Sequence, residues 1–121
     1  SDLAIPYWDY DAPVTKETPR DVSAASVTAS AMIELSTMVP DGQKYLDYAE
    51  KILKSLSSDA YLAKVGDNQG FILMHSVGSL PNGSEIDTPL NYADYYYLEA
   101  LKRFMELKKL RIENGELRVI Q

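Results

Sequence analysis

The chain of 121 residues has the size of one domain or of part of a larger one. Apolar residues make up 45% and charged residues 25%, the balance of a globular protein with a core, which excludes a disordered or fibrous chain. A net charge of -6 argues against a phosphate backbone as the main partner, so no nucleic-acid binding is expected.

The absence of cysteine rules out disulfides, thiolate metal sites and thiol nucleophiles, and the single histidine, His75, rules out an imidazole-built metal centre within one chain. A metal would have to be held by carboxylates alone. No apolar run approaches the roughly 18 residues that cross a bilayer. The first residues, SDLAIPYWDYD, are acidic and aromatic where a signal peptide is basic and then apolar. The expectation is a soluble chain with no signal peptide and no membrane partner, its compartment, periplasm or cytoplasm, left open.

In chain order, Pro6, Pro13 and Pro19 among aromatic and charged residues predict an extended loop over residues 1–20. Asp21 can cap a first helix in VSAASVTASAMIELSTMV, where Ala24, Val27, Ala31, Leu35 and Met38 recur at helical spacing. Its many small residues and broad apolar surface predict a buried helix. Pro40, Asp41 and Gly42 break it, and Asp41 can cap a second helix, QKYLDYAEKILKSL. That helix is amphipathic, with a stripe of Tyr45, Ala49, Ile52, Leu53 and Leu56 and with Asp47–Lys51 and Glu50–Lys54 pairs on its wet side.

Residues 57–87 predict a long irregular connection holding one short apolar run, GFILMHSV, that suits a strand. Thr88 and Pro89 then suit the N-cap and first position of a third helix, LNYADYYYLEALKRFMELKKL, ending near residue 110. Residues 102–121 carry six basic and three acidic groups, against six and fifteen in the preceding residues, which fits cations near a helix C-terminus. Asn114 and Gly115 between two short runs predict a C-terminal β-hairpin. Consecutive helices on short turns run antiparallel, so the loops 1–20 and 57–87 should emerge at one end of the fold.

Four stretches, IPYWDYDAP, RDVSAASVTASAMIELS, GFILMHSVGS and SEIDTPLNYADYYYLEALKRF, in this order and spacing, resemble the C-terminal part of the unsaturated glucuronyl hydrolases, glycoside hydrolase family 88. The resemblance covers about residues 3–108 and implies an all-α fold, the C-terminal segment of an (α/α)6 barrel, over residues 1–110, followed by a tail or hairpin over 111–121. It also implies an enzyme without metal or cofactor that hydrates the C4=C5 double bond of an unsaturated uronic acid on lyase-generated oligosaccharides. The catalytic aspartates of that family lie in the N-terminal half of the barrel, so no catalytic residue is carried onto this chain. First and third helices too apolar to be covered by a three-helix protein, with an amphipathic one between, fit inner–outer–inner alternation. The partners implied are the uronate-containing oligosaccharide and the missing N-terminal part of the barrel, or other copies of the segment. The competing reading is a small non-enzymatic helical domain that binds a protein or glycan.

Candidate substrate-binding residues are Trp8, Asp9, His75, Ser76, Ser79 and Tyr92. Trp8 offers an aromatic platform for a sugar face beside the carboxylates Asp9 and Asp11, or else anchors its loop while those carboxylates bond nearby backbone. His75, Ser76 and Ser79 bring an imidazole and hydroxyls suited to a uronate or sulfate, or else His75 packs against the short strand. Glu85 and Asp87 could form a glycosidase carboxylate pair, but two residues apart ahead of a helix they suit capping better. Tyr92, Tyr95, Tyr96 and Tyr97 read as core, with Tyr92 nearest the loop-bearing end. Asp94 would then face inward and need a partner such as a tyrosine hydroxyl.

Overall fold

Three helices and one antiparallel strand pair make up the fold, described by a computed structural model over residues 4–9, 11, 13–15, 18–79, 84–88 and 90–115. Helix α1 spans Val22–Ser36, α2 Gln43–Leu56 and α3 Asn91–Glu113, while β1 (Ser76–Ser79) pairs with β2 (Ser84–Thr88). No helix among the described residues is long and apolar enough to cross a membrane.

Asp21 starts α1 as expected, its Oδ1 accepting the Ser23 backbone N–H at 2.9 Å and the Ser23 hydroxyl at 2.6 Å. The buried face of α1 is not the expected stripe. Val22, Ala25, Ala29 and Ile33 point inward together with Ser26, Ser30 and Ser36, while Val27, Ala31 and Leu35 are exposed, as is Met38 beyond the helix. The serines can be core residues because their hydroxyls are satisfied without water: Ser26 Oγ donates to Val22 O at 2.7 Å and Ser36 Oγ to Ile33 O at 2.6 Å.

A short turn follows, held by a close approach. A Cβ on Gly42 would sit 1.9 Å from Ser36 O, so only glycine lets the two helix ends meet. Gly42 is itself the N-cap of α2 and makes no side-chain cap, which corrects the expectation for Asp41. Asp41 instead pairs with Lys44 Nζ at 2.7 Å, and that bond holds its carboxyl below the usual range. Helix α2 buries Leu46, Ala49, Ile52, Leu53 and Leu56, and Glu50 pairs with Lys54 at 3.7 Å. Asp47 is engaged by Gln43 Nε2 at 2.8 Å, on the other side from Lys51.

Thr88 ends β2 rather than capping α3, whose N-cap is Leu90 with no side-chain bond. At its other end α3 runs through Leu110 to Glu113, which overturns the predicted C-terminal hairpin. Asn114 is the C-cap, donating its N–H to Leu110 O at 3.0 Å, and Gly115 at φ 73° donates to Ile112 O at 3.0 Å. The Asn-Gly pair is therefore a left-handed helix stop, a role it fills as readily as a hairpin turn. The rest of the predicted hairpin, residues 116–121, lies outside the described residues.

Cross-helix bonds fix the directions. Ser30 meets Glu99 and Glu34 meets Arg103, so α1 and α3 run parallel; Gln43 meets Arg111 and Ser57 meets Tyr97, so α2 runs antiparallel to α3. The N-terminus of α1, the C-terminus of α2 and the N-terminus of α3 thus share one end, and both long connections emerge there. The core lies between the helices and is closed at this end by Ile5, Tyr61, Leu73 and Leu90.

Candidate functional site

At the loop-bearing end, the N-terminal segment folds back on itself rather than running free. Tyr7 and Arg20 form an antiparallel bridge, flanked by Trp8 N–H to Pro19 O at 3.0 Å and Asp21 N–H to Pro6 O at 2.9 Å. Arg20 ties the pair down, with Nη1 donating to Ile5 O at 2.6 Å, Nη2 to the Tyr7 hydroxyl at 3.2 Å, and its guanidinium 4.5 Å from the Tyr7 ring centroid. Trp8 is half-buried on this ribbon. Asp9 is exposed, and its Oδ1 accepts the Asp11 N–H at 2.9 Å, the local backbone bond anticipated as its bland role. Asp9 also borders a cleft of about 210 Å³ between the segment and α1 and α2, with Tyr7, Thr28 and Tyr48 in its wall; neither Trp8 nor His75 lines it.

The second connection returns to the same place. Tyr61 and Ala63 pair with Met74 and Ile72, through Met74 N–H to Tyr61 O at 2.8 Å and Ala63 N–H to Ile72 O at 2.9 Å. Asn68 closes the intervening turn by donating Nδ2 to Phe71 O at 3.2 Å and Leu73 O at 3.0 Å. Asp94, in the first turn of α3, accepts the N–H of Ile72 on Oδ2 and of Leu73 on Oδ1, each at 2.9 Å. Those two backbone amides, and not a tyrosine hydroxyl, are its partners.

His75 follows at φ 70°, and its carbonyl accepts the Val22 N–H at 3.2 Å, satisfying an otherwise open amide at the start of α1. Its ring is exposed and lies edge-on to Tyr61, with centroids 6.0 Å apart. Tyr61 is buried, which pushes its hydroxyl pKa up, while Arg20 nearby pulls it down. Tyr61 is thus the point where the Trp8-bearing ribbon and the His75-bearing loop converge. Ser76 is fully buried and its Oγ has no hydrogen-bond partner. Ser79 closes β1 opposite Ser84, and its side chain lies outside what is described, as do those of Glu85 and Asp87 in β2. Tyr92 is exposed in the first turn of α3. Of the tyrosine cluster only Tyr97 is core, its hydroxyl 2.6 Å from Ser57 Oγ; Tyr95 is exposed and Tyr96 half-buried.

The structure therefore gathers Trp8, His75, Ser76 and Tyr92 at one end. The supports Arg20, Tyr61, Asn68 and Asp94 were not singled out from sequence as site residues. Their signal was weak because Arg20 and Asp94 bond backbone groups 15 to 22 residues away, while Asn68 and Tyr61 act inside a connection without helical or strand periodicity. A helical hairpin followed by a third helix parallel to the first, with all long connections at one end, is the repeat of a helical toroid, and the fold is that of a segment of an (α/α)6 barrel glycoside hydrolase.

No protein-family model matches the sequence. The chain is 48% identical over 103 residues to an unsaturated glucuronyl hydrolase of Formosa agariphila, covering 85% of this chain and 26% of that one. It is 31% identical over 115 residues to the unsaturated glucuronyl hydrolase of Bacillus sp. strain GL1, covering 92% and 28%. A solved unsaturated glucuronyl hydrolase specific for heparin superposes with a TM-score of 0.84 at 68% identity, over 87% of this chain and 28% of that one. The chain belongs to the unsaturated glucuronyl hydrolase family as a C-terminal segment, and it spans about a quarter of the length of the relatives it matches.

Proposed function

We propose that this chain is part of an enzyme that removes the unsaturated uronic acid from lyase-generated oligosaccharides by hydrating its C4=C5 double bond, and that heparin-derived oligosaccharides are its substrate class. The observation that carries this reading is the 68% identity to the solved enzyme specific for heparin. Hydration needs a proton delivered to the alkene carbon and a water activated to attack. Asp21 and Asp94 are both committed to backbone amides, so neither is free to supply that chemistry. The acid and base come from the part of the barrel outside this chain, and the chain contributes the binding loops.

Trp8, Asp9, His75, Ser79 and Tyr92 are the substrate contacts in this reading, with Trp8 stacking on a sugar face and His75 facing the uronate. Ser76 is left out of these contacts, because its hydroxyl is fully buried. The test is a chimera in which residues 4–115 replace their counterpart in the heparin-specific relative. Loss of the ultraviolet absorbance of the unsaturated uronide should proceed on heparin disaccharides in preference to chondroitin disaccharides. A folded chimera without that turnover overturns the proposal.

A further inference from the structure

We propose that Asp94 is a positioning residue for substrate recognition, whose carboxylate fixes residues 71–76 and so the direction of the His75 imidazole; this rests on the functional reading above. The segment has two edges. One is held by the short pairing with Tyr61 and Ala63, at 2.8 and 2.9 Å. The other edge presents two consecutive amides, Ile72 and Leu73, and both go to the one Asp94 carboxylate at 2.9 Å. Leu73 is fully buried, so water is poorly placed to substitute for that acceptor. Charged acceptors make the stronger bonds, and a two-pronged one fixes orientation as well as distance.

The next residue but one is His75, at φ 70° with its carbonyl on Val22 N–H. A non-glycine residue stays in that region only while its surroundings over-determine it. Asp94 supplies the constraint from α3 and Val22 the constraint from α1. Removing the first lets the peptide before His75 relax and moves the ring, while chemistry performed by the rest of the barrel is untouched.

The experiment uses the full-length enzyme carrying this segment, with Asp94→Asn, Asp94→Ala and the control Tyr97→Phe, which removes a hydroxyl bonded to Ser57 at the same end and keeps the ring in the core. Amide exchange at Ile72 and Leu73 should accelerate at least about 10-fold in Asp94→Ala. KM for an unsaturated heparin disaccharide should rise about 10-fold with kcat within about 2-fold, and Asp94→Asn, which keeps one acceptor, should fall between. Tyr97→Phe should lower Tm without moving KM. Unchanged exchange in Asp94→Ala would overturn the clamp. Faster exchange with unchanged KM would overturn the recognition role and leave a structural one. A wild-type enzyme that fails to turn over the disaccharide overturns the functional reading on which that role rests, and the exchange arm then decides the clamp by itself.

Discussion

His75 combines an exposed ring with a backbone that side chains rarely adopt, at φ 70°. The two properties separate experimentally. His75→Gly should relieve the backbone, raising stability by up to about 1 kcal/mol, yet weaken substrate binding as much as His75→Ala does. Trp8→Ala and His75→Ala in the full-length enzyme should lower kcat/KM with Tm nearly unchanged; loss of Tm with unaltered kinetics would assign both to packing. Gly42 is constrained by space alone, because its φ of -61° suits any residue while a Cβ would meet Ser36 O at 1.9 Å. Gly42→Ala should therefore cost about 3 kcal/mol or more in a denaturant melt. At this scale Trp8, His75 and Tyr92 could be named as candidates because ring-bearing side chains stand out in a short loop or at a helix start, and the structure puts all three at the loop-bearing end, with Trp8 half-buried and the other two exposed. For Asp94 the need of a partner was legible but the partner was not, since nothing in sequence ties a carboxylate in a helix's first turn to the amides of residues 72 and 73, and Arg20 gave no signal of its bonds to Ile5 and Tyr7.

Between elements, α1 and α3 are joined by a polar seam as well as by small apolar residues. Ser30 Oγ donates to Glu99 Oε1 at 2.6 Å, and Arg103 Nη1 lies 3.3 Å from both Glu99 and Glu34. The Ser30 hydroxyl first, then that of Tyr95, and more weakly Arg103 hold the Glu99 carboxyl below its ordinary range. A group depressed in the folded state contributes stability above its unfolded pKa and loses it as pH falls through the folded one. Tyr95, raised by its bond to Glu99, contributes below its unfolded pKa and loses that as pH rises. Denaturation midpoints should thus fall on the acid side of the carboxylate range and again on the alkaline side. Glu99→Gln should flatten both slopes, and an unchanged pH profile would show the seam to be incidental. The seam also explains why the buried face of α1 was misread from periodicity. Hydropathy ranks Ser26, Ser30 and Ser36 as surface residues, and only their bonds to Val22 O, to Glu99 and to Ile33 O make them interior. The misread Asn114–Gly115 has the same origin, because one dipeptide serves two backbone roles and only the helix before it decides which.

Across the whole molecule, the stripe that periodicity picked out on α1 is the surface that this chain leaves uncovered. Val27 is 41% exposed and Met38, just past the helix, 68%, and on α3 Leu98 and Met105 are 51% and 67% exposed. Leu98, Leu101 and Met105 also line an open apolar depression of about 580 Å³ with Lys102 and Lys109 at its margin. Surfaces of this kind are covered in a stable protein, and in the relatives about three quarters of the chain lies outside the matched segment. The 121-residue chain by itself should therefore bind a hydrophobic dye and sediment with concentration-dependent mass, and both signals should fall when the remainder of the barrel is co-expressed. A dye-silent monomer would show that these faces need no cover. The same division governs activity. With its Asp21 and Asp94 carboxylates spent on backbone amides, the chain alone should leave the ultraviolet absorbance of lyase-made disaccharides constant, whereas the chain co-expressed with the remainder of the barrel should consume it. Turnover by the chain alone would place the acid and base within these residues and overturn the assignment of chemistry to the missing part.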